Sequence, residues 1–188
     1  MKPLVILAHP DMENSRVNRR WKQELDQYPA DIAVHELYTQ YPDWNIDVAL
    51  EQKLLEAHDL VILQSPLYWY SYPPLLKKWL DEVFTYGWAY GSNGDKLRGK
   101  RFGIAMTIGD KQENYSPAGS VSFTVDEMIA PFKASMIHVG AELLPYFAVF
   151  GSSFQASDAH IDQNAREYVE YIFRHKSNGV CHAAHEIN

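Results

Sequence analysis

Cysteine is all but missing from this chain of 188 residues: Cys181, near the C-terminus, stands alone. That excludes an internal disulfide framework and any multi-cysteine zinc or iron–sulfur centre, and it fits a reducing cytosol. Positive charge is sparse and scattered. Lys and Arg number 17 against 24 Asp and Glu, for a net charge of −7, and the densest basic stretch is Arg16, Arg19 and Arg20. Nucleic acid, whose phosphates must be neutralised by grouped cations, is not an expected partner. Long apolar runs are missing too. The N-terminal run Leu4 to Ala8 stops at His9-Pro10-Asp11, too short for a signal peptide or a membrane span, so a soluble cytoplasmic protein is expected. The histidines show no HxxxH or HExxH spacing, and no metal centre is expected.

What the chain does have is 46% hydrophobic residues, enough for a single well-buried domain over residues 1–175. The tail from Lys176 to Asn188 lacks pattern and is expected to be disordered. Five runs read as strands: Leu4 to Ala8, Ile32 to Tyr38, Leu60 to Gln64, Arg101 to Thr107 and Tyr146 to Phe150. Helices alternate with them. Ser15 caps the first, whose stripe is Val17, Trp21 and Leu25; Asp47 or Asn45 caps the second, with Leu50, Leu54 and Ala57 inward. Leu75 to Phe84 forms the third. A Thr124/Glu127 capping box opens the fourth, which runs to about Val139 with a kink at Pro131 and stops at Gly140; the last spans Ala159 to His175.

Five strands alternating with five helices predict an α/β fold: a five-stranded parallel sheet of order 2-1-3-4-5, with helices on both faces and right-handed crossovers. Such a sheet binds ligands outside the carboxyl ends of its strands, at the switch point between strands one and three. Three loops converge there. The loop after strand one leads into a capped helix whose first amides, at Arg16, Val17 and Asn18, suit an anion. It contains no glycine and is neither a Walker loop nor a GxGxxG turn. Phosphate would be held by those amides with His9, Ser15, Arg16 and Asn18. The loop after strand three, SPLYWYSYPP, sets Tyr68, Trp69, Tyr70 and Tyr72 between Pro66 and Pro73-Pro74, a stiff aromatic wall suited to a flat ring. Thr107, Ile108, Gly109 and Asp110 leave strand four in a turn whose amides can face a ligand. Phosphate at one end and a flat heteroaromatic ring at the other describe a flavin nucleotide. The loop between the third helix and strand four, carrying Tyr86, Trp88 and Tyr90, reads equally as a binding loop or a surface flap.

The stretches HPDMENSRVN, LYTQYPDWNID, PLYWYSYPPLLKKWLDEVFTYGWAYG and TIGDKQENY carry a further signal. Over residues 3–175 the chain resembles the flavodoxin-like NAD(P)H:quinone oxidoreductases of the DT-diaphorase superfamily, above all the bacterial general stress protein 14 and Kef ancillary types. The resemblance implies FMN or FAD as cofactor, NADPH or NADH as hydride donor, and a quinone as acceptor. It implies that His9 and Ser15 to Asn18 hold the flavin phosphate. Pro66, Leu67, Tyr68, Trp69 and Tyr70 pack the ring edge, and Thr107, Ile108, Gly109 and Asp110 wrap its pyrimidine end. Tyr115 matches the family tyrosine that assists charge redistribution near O2. A homodimer is implied, with Trp88 and Tyr90 roofing the partner's quinone pocket. The Kef branch implies an alternative: a regulatory subunit held at the inner face of the membrane by a potassium-efflux transporter. Two departures stand out. Asp110 occupies the place of a second glycine, and Val121 the place of a histidine six residues after the tyrosine, so no Tyr/His relay is carried over.

Overall fold

The fold is described from a computed structural model over residues 1–153 and 156–178. Its elements are β1 (Leu4–Leu7), α1 (Arg16–Leu25), β2 (Ala33–Glu36), α2 (Leu37–Gln40), α3 (Val48–Glu56), β3 (Leu60–Pro66), α4 (Pro74–Val83) and β4 (Arg101–Thr107). A 3₁₀ turn (Gln112–Asn114) follows, then α5 (Val125–Met128), α6 (Ala130–His138), β5 (Glu142–Leu143), β6 (Phe147–Val149) and α7 (Asp158–Asn178). The strands pair in parallel in the order β2-β1-β3-β4-β5, with β6 also on β4.

Strand alternation sorts the core into two layers, because successive side chains leave opposite faces of a sheet. Leu4, Ile6, Val61, Leu63, Phe102, Ile104 and Met106 pack under α3, α4 and α6. Val5, Leu60, Ile62 and Ala105 pack under α1 and α7, where Trp21 donates its indole N–H to Asn164 Oδ1 at 2.9 Å. Gly103 faces this second layer. A Cβ there would lie 2.6 Å from the Tyr171 hydroxyl, so the close approach of α7 requires glycine.

Several elements differ from the sequence reading, each for a local reason. The expected fifth strand, Tyr146 to Phe150, is present as β6, and a short segment not expected from the sequence, β5, precedes it on the same neighbour β4; Pro145 between them has no N–H to give the ladder. Strand two ends at Glu36, and the chain turns at once into α2, which buries Leu37 and Tyr41 at helical spacing. The fourth helix breaks at Ile129 into α5 and α6, since Pro131 cannot donate into the preceding turn. Its Thr124/Glu127 capping box is present. The last helix continues through Lys176, whose ammonium pairs with Asp31 at 2.9 Å, to Asn178, so the expected tail does not begin at Lys176. Residues 179–188 lie outside the described residues.

Helix α3 is turned from its expected orientation. Asp47 caps it, accepting from the Leu50 amide at 3.0 Å, and Leu54 packs half-buried on the core as expected, but Leu50 is 45% exposed and Ala57 is exposed; the fully buried positions are Glu51 and Leu55. Glu51 is fully buried and accepts from Tyr41 Oη at 2.5 Å and Trp79 Nε1 at 2.7 Å, with His35 Nε2 at 2.8 Å. Burial opposes its charge, yet these hydrogen bonds outweigh it and hold the carboxyl below its ordinary value. A depressed folded pKa stabilises above the unfolded value and is lost as pH falls through the folded one. Glu51→Gln is therefore expected to cost about 1–3 kcal/mol near pH 7. In urea titrations the gap from the unaltered protein should narrow below about pH 4.5; a gap that stays constant with pH would show Glu51 to be neutral.

Candidate functional site

The loops after β1, β3, β4 and β6 meet at the carboxyl ends of the strands around a crevice of about 200 Å³. Into it come His9, Ser15, Arg16, Val17 and Asn18 from the first loop and helix, Pro66, Leu67 and Tyr68 from the third, and Thr107 and Gly109 from the fourth.

Ser15 caps α1 as expected, its Oγ accepting from the Asn18 amide at 3.2 Å. The amides of Arg16 and Val17, in the first turn, have no acceptor among the described residues. The Arg16 guanidinium reaches away to Asp158 Oδ1 at the start of α7, 2.6 Å from Nη2, so a ligand would have to share it. His9 Nδ1 accepts from the Asp11 amide at 3.1 Å, which leaves the ring proton on Nε2. Burial lowers the His9 pKa against the opposing pull of Asp11, and the ring is a neutral donor at pH 7.

The aromatic loop is a tight two-residue turn. Tyr68 and Ser71 exchange both backbone hydrogen bonds, at 2.8 and 3.0 Å, and between them Trp69 and Tyr70 stand at φ 47° and 62°. Two successive positive φ values suit Asn-Gly and are costly for bulky aromatics. Tyr68 lines the crevice; Trp69, 93% exposed, and Tyr70, half exposed, follow it in the turn and do not line it.

The fourth loop divides its residues between core and site. Thr107 Oγ1 accepts from Asn18 Nδ2 at 2.9 Å. Ile108 is fully buried and its amide goes to Val149 O at 2.8 Å, so it serves the core and offers the crevice no donor. The amides of Gly109 and Asp110 have no acceptor among the described residues. Asp110 does not line the crevice. Its carboxylate accepts from Asn114 Nδ2 and the Lys111 amide, both at 2.7 Å, which lowers its pKa and ties down the 3₁₀ turn that leads to Tyr115. Tyr115 stands on the flank, its ring 5.8 Å from Phe150; burial, then the nearby Asp110 and Tyr70, push its phenol up.

Trp88 and Tyr90 are not brought to the crevice. The Trp88 indole donates to Glu56 Oε1 at 2.8 Å at the end of α3, and the Tyr90 ring lies 5.1 Å from His138 at the end of α6, both toward the amino ends of the strands. Tyr90 instead lines a second groove of about 290 Å³ with Tyr72, Phe84 and Pro131.

Ser152 and Ser153 also line the crevice, and sequence reasoning missed them. The available signal was Gly151-Ser152-Ser153 directly after a strand; Gly151 takes φ 69° and donates to Asp110 O, and Ser152 donates to Ile108 O, so this loop is laced to the fourth. No group of three or more potential metal ligands occurs among the described residues. None of their helices is long and apolar enough to cross a membrane.

A parallel 2-1-3-4-5 sheet with a donor-lined crevice at its switch point defines the doubly wound ligand-binding proteins. A family model described as a flavodoxin-like fold matches residues 1–172, and the chain belongs to that family. It is 47% identical to the uncharacterized NAD(P)H oxidoreductase YdeQ of Bacillus subtilis (strain 168) over 172 residues, 92% of this chain and 86% of the relative. It is 40% identical to the glutathione-regulated potassium-efflux system ancillary protein KefF of Klebsiella aerogenes, over 88% of this chain and 91% of KefF. Among solved structures, general stress protein 14 of Treponema denticola, in complex with FMN, superposes with a TM-score of 0.89 at 41% identity, covering 93% of this chain and 99% of the other. An NADPH-quinone reductase from P. pentosaceus gives 0.82 at 32% identity, over 92% and 98%.

Proposed function

We propose that this chain is a flavin-dependent NAD(P)H:quinone oxidoreductase working by two-electron ping-pong transfer. The observation that carries the reading is the chemistry of the crevice. Among the described residues no carboxylate lines it; one part offers the amides of Arg16 and Val17 with His9, Ser15 and Asn18, and another offers Pro66, Leu67 and Tyr68. An anion beside a flat apolar ring meets both demands. FMN is favoured over FAD by the complex of the 41% identical relative, and NADPH or NADH as donor by the names of the relatives. A flavin held there would supply the hydride acceptor for the nicotinamide and the two-electron donor for the quinone.

The protein's part is binding and electrostatics. Ser15 to Asn18 and His9 hold the phosphate, with Arg16 shared between it and Asp158. Tyr68, Trp69 and Tyr70 pack the ring edge. Thr107 and the amides of Gly109 and Asp110 donate toward the end where reduction places negative charge. Tyr115, a phenol protonated at neutral pH whose pKa burial raises further, is a hydrogen-bond donor there rather than an acid. A homodimer is part of the proposal, since Trp88 and Tyr90 can serve as quinone contacts only on a second copy's site.

The 40% identity to KefF favours one other reading, a flavin-binding regulatory subunit of a potassium-efflux system at the inner face of the membrane. Steady-state kinetics separates the two. Parallel double-reciprocal lines for NADPH and a soluble quinone, at turnover above 1 per second, are expected of the reductase, within the ordinary enzyme range of roughly 1–1000 per second. Turnover far below that range would favour the regulatory subunit.

A further inference from the structure

Gln64 is fully buried in β3, on the face it shares with Leu60 and Ile62, where an aliphatic side chain would be expected. Its Oε1 has no hydrogen-bond partner among the described residues, an arrangement that costs stability rather than adding to it. What Gln64 does supply is a donor: Nε2 lies 3.2 Å from Asn18 Oδ1 and 3.5 Å from the Asn18 main-chain carbonyl. A carbonyl oxygen can only accept, so the Gln64 amide is held with its nitrogen toward α1. Asn18 Oδ1 must then accept, and Asn18 Nδ2 must donate to Thr107 Oγ1, 2.9 Å away. With that lone pair occupied, the Thr107 proton is left for the crevice that Thr107 lines. Ser15 is fixed in the same sense, because its Oγ already accepts from the Asn18 amide.

We propose that Gln64 is a positioning residue: through Asn18 it fixes the direction of the Thr107 hydroxyl, so that Thr107 always presents a proton to an oxygen or nitrogen acceptor of the bound nucleotide. This rests on the flavin reading above and deepens it. The chain of donors starts from a main-chain carbonyl, which no side-chain flip can reverse, and ends at the crevice. It makes Gln64 matter for binding although it touches no ligand.

The test is a double-mutant cycle between two residues linked by hydrogen bonds through Asn18, read as the dissociation constant of FMN by flavin fluorescence. Gln64→Met keeps the volume and removes the donor, leaving the Asn18 amide free to turn over. FMN binding is expected to weaken about fivefold in the protein carrying Thr107, and equally with Thr107→Ser, which keeps the hydroxyl. In the Thr107→Val background Gln64→Met is expected to change nothing. Asn18→Asp gives a second cycle should Gln64→Met not fold. Aspartate has no proton to donate, so Thr107 must turn its own inward, and the loss must again be larger with Thr107 in place than in the Thr107→Val background, which has no hydroxyl to turn. Riboflavin separates the two possible acceptors: a Gln64→Met effect retained with riboflavin places the proton on the ring, and one lost places it on the phosphate. No loss, or the same loss in both backgrounds, overturns the proposal while leaving the flavin site intact. An unaltered protein that binds neither FMN nor riboflavin overturns both.

Discussion

Replacing Trp69-Tyr70 by Asn-Gly is expected to make the protein more stable and a poorer enzyme. Both positions take positive φ in a two-residue turn closed by Tyr68 and Ser71. A bulky L-residue there costs roughly 1–2 kcal/mol, whereas Asn-Gly adopts the conformation readily. Glycine's greater freedom in the unfolded chain returns part of the gain, so about 1–2 kcal/mol of net stabilisation remains, near 2–4 °C per kcal/mol in the thermal midpoint. Two exposed aromatics next to Tyr68, which lines the crevice, are lost at the same time. With each worth about 1 kcal/mol against a flat ring, kcat/KM for NADPH and quinone should fall about 30-fold. Strain retained where it lowers stability is the signature of a turn kept for what it presents. A variant that gains stability and loses no activity would show that these aromatics do not serve the site.

Filling the gap at Gly109 should be the other large perturbation. A Cβ on Gly109 would sit 2.6 Å from Ser153 Oγ and 3.7 Å from Ser153 Cβ. The Ser153 hydroxyl can rotate away from a single methyl, so Gly109→Ala is expected to weaken flavin binding only about threefold. Gly109→Val has no such outlet. Its branches push the loop after β4 from the loop after β6, both of which line the crevice, and flavin affinity should fall about 100-fold, near 2.7 kcal/mol. Combining Gly109→Val with Ser153→Gly should recover about tenfold of that loss. Flavin titration of the four proteins measures each term; a double variant no better than Gly109→Val would mean that Ser153 is not what requires glycine here.

The parts of this fold that can be read from the sequence are those set by local chemistry. Ser15, Asp47 and the Thr124/Glu127 box cap their helices through hydrogen bonds within four residues. The buried runs of β1, β3 and β4 are continuous because both faces of a parallel sheet are covered. Glu51 is not legible, since a charged residue on a helix reads as solvent-facing until Tyr41, Trp79 and His35 are seen around it. Nor is the commitment of Ile108 to the core, because its amide partner Val149 lies far along the chain. The same distance hides Ser152 and Ser153, and it hides the link from Gln64 through Asn18 to Thr107, which joins three separate elements.

Of the site, the loops after β1 and β3 come together around one crevice as strand order requires, since the switch point follows from it. Arg16 reads from the sequence as an anion ligand because Asp158, with which it pairs, is far along the chain. Trp88 and Tyr90 do not line the crevice, because Glu56 and His138, which hold them, are far from them along the chain.

The most direct test of the central claim is the visible spectrum of the purified protein titrated with FMN, then taken anaerobically through NADPH and a soluble quinone. The crevice predicts saturable binding of one FMN per chain with a perturbed flavin band. NADPH should bleach that band, and quinone should restore it. A spectrum that remains that of free FMN throughout the titration would contradict the account, because the donors of Ser15 to Asn18 and the wall of Pro66 to Tyr70 would then have no flavin to hold.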